Sequence, residues 1–95
     1  MSSYRLSRQT DADLDEIADY IADRNPTAAI RQIERLHAKF AMLAVHPLLG
    51  QVCGNVRQDL RCFAAGSYVI YYVPCDDGIE VDRVIHGARD ITALF

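Results

Sequence analysis

Four basic side chains in the second half of the chain are candidates for chemistry. Arg83, His86 and Arg89 stand within the stretch RVIHGARD, and Arg61 precedes them on another strand-like run. Arginine holds phosphates or carboxylates through paired hydrogen bonds. The pKa of an unperturbed imidazole is about 6.5, so His86 could act as a general acid or base. The set therefore suits either phosphoryl transfer or the recognition of a partner.

The surroundings of these residues favour recognition over catalysis. Gly87 follows His86 at the point where a further proton donor would be wanted, and Lys39 is the single lysine. The formal net charge is −3, and such a field repels phosphate. We therefore expect no catalytic residue and no direct sequence-specific binding of nucleic acid.

Simpler structural roles are also open to the same side chains. His86 could end a strand by hydrogen bonding to backbone or solvent. Arg61 and Arg83 could form ion pairs on the sheet with Asp59, Asp82 or Asp90. Ion pairs of this kind at a surface contribute only about 0–1 kcal/mol. This small energy does not explain three arginines near one end of a sheet, whereas a recognition surface would.

Motifs for bound cofactors and metals are absent from the sequence. There is no phosphate-binding glycine loop, no nucleophile elbow and no pair of histidines at metal-ligand spacing. Cys53, Cys62 and Cys75 are odd in number and lack the C-x-x-C arrangement, so neither a zinc site nor a disulfide framework is expected. We predict a protein without cofactor or metal.

Composition indicates one globular domain over residues 1–95. Apolar residues make up 51% of the chain and charged residues 24%. No apolar run approaches the roughly 20 residues that span a bilayer, and the N-terminus lacks the apolar centre of a signal peptide. The expected location is the cytoplasm, without membrane association.

Two helices are predicted after a first strand at residues 3–8. Thr10 is the expected N-cap of the first helix, whose acidic start should be solvated and which should end near Asp23–Arg24. Asn25 and Pro26 are typical of a second start. An apolar stripe then continues until shortly before Pro47.

Three strands are predicted in the second half, after a loop at 48–59. They cover residues 60–63, 68–73 and 79–85, with turns at Gly66 and at Asp77-Gly78. The order β-α-α-β-β-β predicts an α+β fold, in which an αα-hairpin packs on one face of a small, mainly antiparallel sheet. The apolar tail at 91–95 should either dock on the core or contact a partner.

Further candidates for binding are two tyrosines and a leucine, Tyr71, Tyr20 and Leu36. Tyr68 and Tyr72 should face the helices, which places Tyr71 on the opposite, partly exposed face of its strand. Tyr20 and Leu36 could line a groove between helix and sheet, where a partner helix would lay its apolar anchors.

The chain resembles the ParE/RelE superfamily of bacterial toxins, and the ParE branch most closely. The resemblance is carried, in order, by Y-R-L-S (4–7), D-L-D-E-I (13–17), H-P-L-L-G (46–50), L-R (60–61), Y-V-I-Y-Y (68–72) and R-V-I-H-G-A-R-D (83–90). It implies the toxin of a type II toxin–antitoxin system that inhibits DNA gyrase by binding. It also implies that a ParD-like antitoxin neutralises the toxin in a hetero-oligomer. The acidic tail of this antitoxin could then bind Arg61, Arg83 and Arg89.

Two other functions remain open within the same superfamily. RelE-like toxins cleave mRNA on the ribosome, and His86 with Arg61 and Arg83 would be the groups for that reaction. A degenerate member would be harmless and would only bind its antitoxin.

Overall fold

The computed structural model describes residues 2–54 and 56–87. Within them the chain forms five strands and two helices. These are β1 (Ser3–Leu6), α1 (Arg8–Ala22), α2 (Pro26–Val45), β2 (Gln51–Val52), β3 (Arg61–Ala65), β4 (Tyr68–Cys75) and β5 (Gly78–His86). The predicted α+β class and element order are confirmed, with β2 as an addition inside the predicted loop. None of the described helices has both the length and the apolarity needed to cross a membrane.

The strands form one mixed sheet in the order β1-β5-β4-β3-β2. β1 runs parallel to β5, whereas the other neighbouring strands are antiparallel. The register of β4 against β5 shifts by one residue, because Tyr71 pairs with Arg83 but Tyr72 pairs with Val81. Asp82 is the extra residue of this β-bulge, which turns Val84 toward the helices and Ile85 away from them.

The N-cap of α1 is Ser7, so the prediction of Thr10 is wrong. The Ser7 hydroxyl accepts a hydrogen bond from the Thr10 backbone N–H at 3.0 Å. Thr10 is fully buried, and its hydroxyl donates to the Val81 carbonyl at 2.9 Å. The helix begins earlier than predicted because β1 ends at Leu6, and Thr10 joins its first turn to β5.

α2 begins as predicted. The Asn25 side chain accepts a hydrogen bond from the Ala28 N–H, and Pro26 occupies the first turn. The helix ends at Val45, just before Pro47. Both signals are local, so the sequence alone specifies this helix.

The main core lies between the helices and one face of the sheet. Fully buried side chains meet there from both layers: Leu36, Phe40, Leu43, Ile70, Tyr72, Ile79 and Val81. The predicted packing of the Tyr68 and Tyr72 face on the helices is confirmed.

A second, smaller core covers the other face of the sheet. Cys53, Val56 and Leu60 pack there with Tyr71 and Ile85. Their segment, residues 53–60 without the undescribed residue 55, is here called the strap. Tyr71 is only 5% exposed, so the prediction that it faces solvent is wrong. The loop predicted at 48–59 was treated as a connection, but its Cys53 and Val56 pack on the sheet.

Tyr72 holds the turn between α2 and β2 in place. Its hydroxyl accepts a hydrogen bond from the Gly50 N–H and donates one to the Pro47 carbonyl, both at 2.8 Å. Arg61 donates to the carbonyls of Leu48 and Gly50 at 3.2 and 2.8 Å. The H-P-L-L-G stretch is therefore anchored by two strand side chains.

Replacement of Tyr72 by phenylalanine should lower the free energy of unfolding by about 1–3 kcal/mol, because the buried Gly50 N–H loses its acceptor. Urea denaturation followed by circular dichroism measures the change. Tyr20→Phe removes an exposed hydroxyl and should change stability by less than about 0.5 kcal/mol. Equal losses in the two variants would contradict the role given to the Tyr72 hydroxyl.

Candidate functional site

A groove of about 550 Å³ runs between α1 and the end of the β4–β5 pair that lies opposite their connecting turn, where β4 begins and β5 ends. Its wall includes Glu16 and Tyr20 from α1, Gln32 from α2, and Ser67, Tyr68 and His86 from the sheet side. The groove combines aromatic surface with one exposed carboxylate and one imidazole. Such a surface is suited to binding an extended or helical segment of another protein.

His86 lies at the end of β5 and is exposed. Its ring meets the ring of Tyr68 edge-on, with centroids 5.6 Å apart and planes at 84°. Burial raises the pKa of Tyr68, and the neighbouring Tyr20 adds to the shift. Tyr68 therefore stays neutral near pH 7 and supplies an aromatic wall against which His86 rests.

Tyr20 is the most exposed aromatic side chain on the groove's helical wall. It is 65% exposed, and the guanidinium carbon of Arg24 stands 5.9 Å from its ring centroid. A cation–π contact at such an exposed site contributes about 0.5–1 kcal/mol. The ring is thus loosely held and available to a partner.

Arg83 forms a buried ion pair with Asp13. Its Nε donates to Oδ2 at 2.9 Å and its Nη2 donates to Oδ1 at 3.0 Å. Oδ2 also accepts the Val84 N–H at 3.0 Å. The hydrogen bond to Asp13 raises the pKa of Arg83. Arg83 therefore ties β5 to α1 and is not presented to an acidic partner.

This pairing corrects two predictions. Asp13 was assigned to a solvated helix start but is only 4% exposed. Two of the partners expected for Arg83, Asp59 and Asp82, pair with Arg57 instead, and the third, Asp90, lies outside the described residues. The hydrogen bond to Asp82 is the main cause of the raised pKa of Arg57.

Arg61 and His86 are far apart. Arg61 pairs with Tyr72 in the sheet, whereas His86 pairs with Tyr68. Four residues along a strand span about 13 Å. The guanidinium of Arg61 is held by backbone carbonyls of the 47–50 turn. Arg61, Arg83 and His86 thus do not share one surface, and Arg89 and the tail at 91–95 lie outside the described residues.

Leu36 belongs to the core. It has no exposed surface, although it stands behind a separate groove between α2 and the β3–β4 turn. Tyr20 and His86 are the two candidates that the fold brings to one exposed site.

Comparison with known proteins decides the family. Residues 4–91 match the model described as "ParE toxin of type II toxin-antitoxin system, parDE". The chain belongs to the ParE toxin family. Toxin ParE1 of Caulobacter vibrioides is 37% identical over 94 residues, which cover 98% of this chain and 97% of that protein. Toxin RelE3 of the same organism is 30% identical over 87 residues, 90% of this chain and 95% of that protein.

The fold of this ParE-family toxin agrees with a solved relative. The chromosomal ParDE TA system from P. aeruginosa contains a chain that matches with a TM-score of 0.75 and 19% identity, over 90% of this chain and 96% of that one. The helical hairpin on a mixed sheet is therefore shared. The resemblance inferred from six short motifs is confirmed.

The ParE-family toxin also carries four exposed apolar side chains around the turn between α2 and β2, which sequence reasoning missed. Val45, Leu48, Leu49 and Val52 are between 53% and 70% exposed. We expected exposed apolar surface at Tyr71 instead. The available signal was the pair of leucines in H-P-L-L-G, which follow the end of a helix and precede a glycine-rich segment.

Stability of this ParE-family toxin should fall in alkali. Burial raises the pKa of Cys62 from 9.0 to about 12, and burial also raises the pKa values of Tyr71 and Tyr72 above 10.0. These groups stay protonated in the folded state after they ionise in the unfolded state. Their contribution is complete below about pH 9 and is lost as the pH rises toward 12. Urea denaturation midpoints, measured from pH 8 upward in steps of about one unit, check this loss of stability. A midpoint that rises between about pH 9 and 12 would contradict it.

Proposed function

We propose that this ParE-family toxin acts by binding to DNA gyrase and inhibiting it, and that a ParD-like antitoxin neutralises it in a hetero-oligomer. Family membership supports the toxin role. The observation that carries the binding mechanism is the buried Arg83–Asp13 pair, which engages the arginine nearest to His86 among the residues that the structure describes. An RNase centre would need such an arginine facing a phosphate.

The groove between α1 and β5 is the proposed surface for the antitoxin. Tyr20 and His86 present aromatic rings at its rim, and Tyr68 forms a neutral wall between them. Truncation of an aromatic anchor at the centre of an interface commonly costs more than about 1–2 kcal/mol. The charge near the groove differs from our expectation, because Glu16 is exposed while Arg83 is paired. A segment with apolar and basic side chains therefore fits this groove better than an acidic one.

Replacement of Tyr20 by alanine should weaken antitoxin binding at least about tenfold. The fold should be unaffected because Tyr20 is largely exposed. Isothermal titration with the product of the adjacent reading frame measures the affinity. Ile30→Ala is the matched control, since Ile30 is also exposed but lies on α2 away from the groove. Equal affinities for Tyr20→Ala and the unmodified toxin would place the antitoxin elsewhere.

A supercoiling assay tests the target. Purified toxin should inhibit gyrase, and prior mixing with the antitoxin should restore activity. Unchanged supercoiling at saturating toxin would refute gyrase as the target. A growth assay after expression without antitoxin distinguishes a toxic protein, whatever its target, from a degenerate member of the family. A degenerate member would leave growth unchanged.

Ribosome-dependent mRNA cleavage is the second candidate, favoured by the 30% identity to Toxin RelE3. Primer extension on translated message is the test. Codon-linked cuts that disappear in His86→Ala would overturn the binding mechanism. His86 is suited to this experiment because it is exposed, whereas removal of Arg83 would disturb the fold.

A further inference from the structure

Two of the three cysteines lie side by side across the β2–β3 hairpin. The sulfur atoms of Cys53 and Cys62 are 2.7 Å apart, and both residues are free thiols. This separation exceeds the length of a disulfide bond by only about 0.7 Å. The backbone fixes the approach, because Cys53 N–H donates to the Leu60 carbonyl at 2.8 Å and Cys62 pairs with Gln51.

The pair lies on the sheet face opposite the groove. Cys53 and Cys62 belong to the second core, together with Tyr71 and Leu60. Cys53 begins the strap, and Cys62 lies on β3 just beyond its other end. A bond between the sulfurs would therefore close a ring around the strap without moving it far.

We propose that Cys53 and Cys62 form an oxidation site at which a peroxide converts the two thiols into an intramolecular disulfide. Cys62 is the more accessible thiol, and its thiolate attacks one oxygen of hydrogen peroxide to give a sulfenic acid and hydroxide. The Cys53 sulfur then attacks the sulfenic sulfur, the S–S bond forms, and water leaves. In sum, two thiols lose two electrons and two protons, and hydrogen peroxide is reduced to two waters.

The surroundings make this oxidation slow at neutral pH. Burial and the hydrogen bond with Cys53 raise the pKa of Cys62 to about 12, so its thiolate is scarce. The titratable groups that face Cys62 are Cys53, Tyr71 and Tyr72, and none of them supplies a positive charge. Only the thiolate reacts, so at every pH below the pKa of Cys62 the oxidation rate should rise about tenfold when the pH is raised by one unit.

The disulfide should stabilise the toxin and leave the groove unchanged. Closing a ring of this size should raise the folding equilibrium constant about a hundredfold and Tm by about 10 °C. Antitoxin binding uses the groove on the other face in the function proposed above, so the affinity for the antitoxin should be equal in the reduced and oxidised proteins. A disulfide that does not form would be detected by mass and Tm, whereas failure of the proposed function would be detected by antitoxin binding, so the two results are distinguishable.

The test is intact-mass spectrometry of the full chain after treatment with hydrogen peroxide. The treatment is done at a pH of about 8.5, where free thiols react. The unmodified toxin and Cys75→Ser should both lose the mass of two hydrogens, reversibly with a reductant. Because Arg57 lies between the two cysteines, trypsin should yield a linked pair of peptides that reduction separates. Cys53→Ser and Cys62→Ser should show neither change.

Two results would overturn the proposal. The first is a mass that stays unchanged in the Cys75→Ser protein after an exposure about a thousandfold longer than a small free thiol needs for oxidation at the same pH, a factor that allows for the scarce thiolate. The second is a cross-link that forms only through Cys75 or only between two chains. A linked protein whose Tm does not rise would contradict the stabilising effect.

Discussion

Replacement of Asp13 by alanine is expected to lower the free energy of unfolding by about 3–5 kcal/mol, because it leaves the Arg83 guanidinium buried without its counter-charge. The side chains of Arg83 and Asp13 are only 13% and 4% exposed. The variant also removes the acceptor of the Val84 N–H. A loss of this size is a large fraction of the stability of a small domain.

Thermal and urea unfolding measure the effect, with Asp15→Ala as the control. Asp15 lies on the same helix, is exposed, and should change stability by less than about 0.5 kcal/mol. A double variant with Asp13→Leu and Arg83→Met should recover most of the loss, since apolar residues often replace a buried pair without penalty. An Asp13→Ala protein as stable as Asp15→Ala would show that the pair contributes little.

Replacement of Gly78 by alanine should cost more than about 3 kcal/mol or prevent folding. A Cβ atom at this position would stand 1.7 Å from the Ser3 carbonyl oxygen, and the φ angle of +150° disfavours any side chain. Gly78 pairs with Ser3 where β1 joins β5. The three nearest atoms are all backbone atoms of Ser3, so no flexible side chain could yield and β1 would have to leave the sheet.

Gly87→Ala is the matched control for this variant. The nearest atom to its added Cβ would be the Ser67 carbonyl oxygen at 3.5 Å, an ordinary contact. We expect a change in urea midpoint only for Gly78→Ala, together with a lower yield of soluble protein. Similar midpoints for the two variants would mean that β1 adjusts at little cost.

Local signals predicted much of the architecture. The start of α2 could be read from Asn25-Pro26 and its end from Pro47, because caps and proline act on their immediate neighbours. The β4–β5 hairpin followed from alternating β-branched and aromatic residues. Its two-residue turn is Asp76–Asp77, with Gly78 opening β5.

Features that depend on distant residues were not predictable from the pattern. Asp13 and Arg83 are 70 positions apart, and an acidic helix start reads the same whether it is solvated or buried. The bulge at Asp82 was visible only as an interruption of the alternation in β5. Tyr71 was assigned correctly to the face away from the helices, but nothing local indicated that the strap covers it.

The candidate site was predicted in part for the same reason. Tyr20 and His86 are exposed as a partner surface requires, and they come together because α1 crosses the end of β5. Arg61 and Arg83 were selected for their charge. In the structure, backbone carbonyls accept hydrogen bonds from Arg61, and the carboxylate of Asp13 pairs with Arg83. Their binding partners could be identified only from the three-dimensional arrangement.

Among the described residues, β1 is an edge strand, and its one neighbour is β5, about 75 positions further along the chain. α1 likewise gains its ion pair and the Thr10 bond from residues beyond position 80. During translation, the N-terminal half of the nascent chain therefore cannot consolidate until β5 has left the ribosome. A premature stop codon or frameshift before β5 should yield an unfolded product for proteases and no active fragment.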